Sequence, residues 1–89
     1  MGVFFISYYS EIFKKNIELE NHIKKLSNNF IEVFPNTWFI TSSSLGIDIN
    51  NILSKYVGKD EQILITETTG DVSCTGINNK TIEFLNSYS

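Results

Sequence analysis

Polar positions are nearly absent from the start of the chain, where Val3 to Tyr9 reads VFFISYY. A short run of β-branched and aromatic residues with so few interruptions predicts a central strand covered on at least one face. Ser10 to Phe13 predicts a connection. From Lys14 to Asn28 the period changes: Leu19, Ile23, Leu26 and then Phe30 recur at intervals of four, three and four, the spacing of one helix face. Glu18, Glu20, Lys24 and Lys25 fall on the other side, and Asn28–Asn29 is expected to stop the helix, since Asn tolerates the left-handed C-terminal conformation. Phe30 to Phe34 predicts a strand, Pro35–Asn36 a turn, and Thr37 to Thr41 the returning strand of a hairpin.

The second half repeats this alternation of periods. Ser42–Ser44 offers hydroxyls for an N-cap, and Leu45, Ile49, Ile52, Leu53 and Tyr56 are expected to line one face of a second helix, with Asp48 in its first turn and Gly58 at its end. Gln62 to Thr68 alternates as a strand does, TGDVSCTG (69–76) predicts a loop, and about Asn78 to Asn86 a short helix carrying Ile82 and Leu85. Strand, helix, strand, strand, helix, strand is the split βαβ plan of a ferredoxin-like α+β sandwich, with a short C-terminal helix added. In that plan both main helices share one face of an antiparallel sheet. The other face then needs cover, from the C-terminal helix or from a second copy of the chain.

Length and composition narrow the function classes. The 89 residues suffice for one domain with a modest core, so self-association as a homodimer is a natural way to bury more apolar surface. The basic residues are seven lysines, without a single Arg, against ten acids, for a net charge of −3. A domain of pI near 4.9 lacks the positive field that draws a protein to phosphate backbones, and bidentate phosphate or guanine contacts are the work of Arg, so nucleic acid is a poor default partner. Cys74 is the only cysteine, which rules out an internal disulfide and fits a reducing compartment. The apolar run at Val3–Ile6 is too short to span a membrane and follows no basic leader, so the expectation is a cytoplasmic protein with no membrane partner.

Candidate chemistry is sparse. Tyr8 and Tyr9 point to opposite faces of the first strand. Ordinary packing accounts for both, and an aromatic contact for a base, a nucleotide or a protein is the sharper reading, with exposure deciding between them. Ser10 and Glu11 continue that surface. His22, the sole histidine, stands without a placed Cys, Asp or Glu partner, which makes neither a triad nor a zinc site, and reads as a solvated helix residue. Cys74 has no basic neighbour in sequence to lower its pKa. Trp38 and Phe39 belong to a hairpin rich in aromatics, an interface if one of its faces is exposed. The loop residues Thr69, Gly70, Asp71, Ser73, Thr75 and Gly76 offer backbone N–H groups and hydroxyls to a ligand but match no phosphate-loop pattern, so a flexible connection is the plainer account. No motif calls for a metal or a cofactor.

The segments FFISYYS (4–10), TWFITSSS (37–44) with IDINNIL (47–53), KDEQILITETTG (59–70) and GINNKTIEFLN (76–86) resemble, over essentially the whole chain, the small bacterial and mobile-element proteins labelled SinR-like. That family is similar to the VapD toxins and to the small scaffold subunit of the CRISPR adaptation complex. In nuclease-like relatives the first strand typically ends in a Tyr-Asp or similar pair, and two such carboxylates across a dimer axis can hold a divalent metal. Here the matching place is Tyr8–Tyr9, without an acid, and Glu11 two residues on would have to turn inward. The resulting expectation is a non-catalytic protein that binds and occludes a protein partner, extended by lineage and charge to a mobile-element protein blocking a host-defence component. A metal-dependent nuclease of the VapD kind, and a binder of a small nucleotide signal through Tyr8 or Tyr9 and the 68–76 loop, stand as the alternatives.

Overall fold

A computed structural model describes residues 2–12, 14–68, 73 and 75–88. Along the chain run β1 (Gly2–Ser10), α1 (Ile17–Leu26), β2 (Phe30–Phe34), β3 (Thr37–Ser42), α2 (Gly46–Leu53), β4 (Glu61–Thr68) and α3 (Asn79–Tyr88), with a single 3-10 turn at Ser54–Tyr56. The four strands form one sheet in the order β2-β3-β1-β4, antiparallel at every junction. The described residues make a small α+β domain with one four-stranded antiparallel sheet and three α-helices.

The alternation along β1 sorts its side chains between two cores. Phe4, Ile6 and Tyr8 join Trp38 and Ile40 of β3, Leu19 and Ile23 of α1, and Ile49 and Leu53 of α2 in one buried cluster. Val3 turns the other way and packs with Phe39 and Leu85, against partly buried Phe5, Ile31, Val33 and Phe84. Helices α1 and α2 therefore cover one face and α3 covers part of the other. A central strand buried on both sides reads in sequence as the unbroken apolar run that opens this chain.

Several boundaries follow from side chains that outcompete the expected ones. Helix α1 starts at Ile17 because the Asn16 side chain accepts from the Leu19 N–H at 2.9 Å, an N-cap that leaves Lys14 and Lys15 outside. It ends at Ser27, whose extended backbone and hydroxyl, 2.9 Å from the Asn29 N–H, terminate it before the two asparagines. Glu20, expected on the solvated side, is buried between Lys15 and Lys24 at 3.3 and 3.4 Å. Ser42 accepts from the Ser44 N–H at 3.0 Å, so the serine run makes a local turn instead of a cap, and Leu45 takes the N-cap position without a side-chain bond. There its side chain is exposed, as is that of Ile52, so only Ile49 and Leu53 of the expected α2 face are fully buried.

The two edges of the sheet differ. Strand β2 spans five residues, breaks register between Glu32 and Phe34, and runs into Pro35 and Asn36, the latter at φ 64°. Shortness, a bulge and a proline are devices that blunt an edge against further pairing. Strand β4 spans eight residues in unbroken register with β1, from Glu61 opposite Ser10 to Thr68 opposite Val3. It has none of those protections.

Candidate functional site

The end of β1 resolves the two tyrosines. Tyr8 faces α1 and α2 and is 4% exposed, whereas Tyr9, on the other face, is 47% exposed. Ser10 is buried beyond them, and Glu11 stands exposed in the turn that follows. Trp38 is buried in the core and Phe39 lies almost wholly under α3. Of the aromatic residues singled out in sequence, Tyr9 alone is largely exposed: strand alternation sends Tyr8 and Trp38 to the helix-covered face, and α3 covers Phe39 on Tyr9's own face.

A polar cluster is built beneath Tyr8. The Asn16 side chain that caps α1 also donates from Nδ2 to the Tyr56 carbonyl at 2.7 Å and to Glu61 Oε1 at 3.4 Å. Glu61 Oε1 accepts from the Gly58 N–H at 2.8 Å, and that bond, with Tyr8, Lys14 and Asn16 nearby, holds the carboxyl below its ordinary value. The Tyr8 hydroxyl is buried without a hydrogen bond of good geometry among the described residues. Burial pushes its pKa up, and the neighbouring Glu61 carboxylate pushes it further. Outside this cluster lies a cleft of about 340 Å³ lined by Ser10, Glu11, Ile12, Lys14, Lys59, Asp60 and Glu61.

The sequence pattern gives no sign that a carboxylate reaches the end of β1. Glu61 does so, as the register partner of Ser10 across the β1–β4 ladder. Its Oε1 accepts from both Gly58 and Asn16, and among the described residues no three His, Cys, Asp or Glu side chains converge where they could hold a metal ion. His22 is not merely solvated: its ring stacks on Tyr56 at 3.8 Å, and Nδ1 lies 2.8 Å from the Glu18 carbonyl.

The second face of the sheet is open where α3 does not reach. Register carries one row across all four strands, from Phe34 through Thr37 and Ser7 to Leu64, and Tyr9 stands next to it opposite Gln62. Phe34 is exposed at one end of the row and Leu64, at 60%, at the other. Between β2, β3 and α3 runs a groove of about 260 Å³, whose walls include Phe5, Phe34, Phe39 and Leu85, with Ser73 and Thr75 at its rim. Gly76 sits in the left-handed region at φ 75° with open space around it. Thr69, Gly70, Asp71 and Cys74 lie outside the described residues.

No protein-family model matches the chain, and no curated protein matches it. Among the described residues no helix is long and apolar enough to cross a membrane.

Proposed function

We propose that this protein is a non-catalytic binding module that occludes a protein partner, with the open half of its second sheet face as the contact surface. The observation that carries the reading is the exposure of Tyr9 and Leu64 side by side on adjacent strands, on the face that α3 leaves uncovered. Amphipathic aromatics and aliphatics held on rigid strands lose little entropy on contact, which suits them to anchor an interface. The strand order agrees with a ferredoxin-like sandwich, and the lineage of SinR-like proteins remains part of the same proposal, including a partner drawn from host defence.

Enzymatic readings receive less support from the geometry. Glu61 Oε1 already accepts from a backbone N–H and from the Asn16 amide, and of the two tyrosines open to a stacked nucleotide Tyr8 is inside the core, which leaves Tyr9 alone for that role. Affinity capture with the whole protein, beside a Tyr9→Lys variant that keeps its fold, tests the proposal. A specific protein retained by the first and lost by the second is the expected result; equal recovery on both, or none on either, overturns it. Without that partner the same strip is a surface for a homodimer, which light scattering at rising concentration reads out.

A further inference from the structure

We propose that the outer edge of β4 is the docking site for an extended, basic segment of the partner, which adds to the sheet as a fifth strand. This deepens the binding reading above and rests on it.

Among the described residues strand β4 pairs with β1 alone, so alternate backbone N–H and C=O groups along its eight residues point away from the sheet, and no bulge or proline of the strand guards them. On the side facing the helices its residues read Glu61, Ile63, Ile65, Glu67, apolar in the middle and anionic at both ends. Beside that middle lies a groove of about 400 Å³ between strand and helix, lined by Gly46, Ile47, Asn50, Ile63, Leu64 and Ile65. Ile47 stands 64% exposed on its wall.

An added strand places every second side chain opposite this row. Its complement is a cation, two aliphatic residues and a second cation at alternate positions, the aliphatic pair entering the groove beside Ile47. The pattern reads the same in either direction, so parallel and antiparallel addition both satisfy it.

A second copy of β4 is a poor occupant. In the antiparallel register centred on Leu64 each Glu61 opposes a Glu67, and in the one centred on Ile65 each Glu67 opposes Ile63; neither gives a carboxylate a cation. Lys59 and Asp60 in the preceding turn offset one another and leave the ends of the row acidic. Charge thus selects a basic foreign strand over self-pairing.

The probe is a synthetic peptide, Lys-Thr-Val-Thr-Val-Thr-Lys, titrated into the isotope-labelled whole protein and followed by amide NMR. Two controls accompany it: the same peptide with Glu at both ends, and one with alternate backbone amides methylated. Expected are shifts confined to Glu61–Thr68 and Ile47, an affinity about tenfold above that of the acidic peptide from two favourable in place of two repulsive cross-strand pairs, and loss of binding on methylation. A Glu67→Lys variant, changed at an exposed position, should narrow that preference. Equal affinity for both charged peptides, insensitivity to methylation, absence of shifts, or shifts centred on Tyr9 and Phe34 would each overturn the edge site. The broader reading is decided separately: a captured partner that stays bound to Glu67→Lys but is lost by Tyr9→Lys overturns the edge site and leaves the sheet-face contact standing, whereas equal recovery on the parent and Tyr9→Lys overturns the sheet-face reading.

Discussion

Asn16 and Tyr56, forty residues apart, are joined by a 2.7 Å hydrogen bond from the Asn16 side-chain amide to the Tyr56 carbonyl. Since the other end of that amide caps α1, one side chain fixes both the start of the first helix and the turn that launches β4. Asn16→Ala should therefore cost about 2 kcal/mol, roughly one for the cap and up to one for the partly buried carbonyl left unpaired. Asn16→Asp keeps the cap but sets a second carboxylate beside Glu61, and should recover only part of the loss at neutral pH. Urea unfolding midpoints of the three proteins measure both effects.

Glu61 gives the acid limb of stability a defined origin. Its folded pKa lies below the ordinary 4.5, so the unfolded chain takes up the proton first. The stabilisation is complete above that value and drains away as pH falls from about 4.5 through the folded pKa. In Glu61→Gln the loss of stability over this window should be shallower than in the parent, as read by thermal melts across pH. An unchanged slope would show that the Gly58 contact does not persist in solution.

The hydroxyl of Tyr8 is a buried polar group without a good partner, so removing it relieves a desolvation cost. Tyr8→Phe is expected to raise stability by about 1 kcal/mol. Of the four tyrosines, Tyr8 should ionise late in an alkaline titration followed by ultraviolet absorbance. Its neutral form is favoured in the folded state, so the parent loses stability as pH rises from the ordinary 10.0 through the folded value. That late step should vanish in Tyr8→Phe.

Two leucines that share a sequence pattern part company in energy. Leu53 is fully buried and Leu45 is 66% exposed; Leu53→Ala should cost about 2–5 kcal/mol and Leu45→Ala no more than about 0.5 kcal/mol. Chemical denaturation of the pair is enough to show it.

The same pair marks how far sequence carries. Period fixes which residues share a face of a helix or strand, and so a first strand covered on at least one face and the helix face of Leu19 and Ile23 are legible without coordinates, whereas packing on both faces of β1 is not. It does not fix where a helix starts. That depends on which polar side chain wins a backbone N–H: Asn16 wins for α1, and Ser42 spends its hydroxyl on Ser44, leaving Leu45 in the open. Pairing register over a long sequence separation is equally silent, which is why Glu61 gives no sign in the sequence that it lies opposite Ser10. Alternation does state that Tyr8 and Tyr9 diverge; only the packing of α1 and α2 against one side decides which of them is hidden.

The unequal edges of the sheet also set a limit on assembly. With β2 bulged and followed by a proline and β4 in unbroken register, the sheet has one unguarded edge among the described residues. Whatever strand adds to β4, nothing can follow at β2, and the product is a capped complex of fixed stoichiometry instead of a fibre.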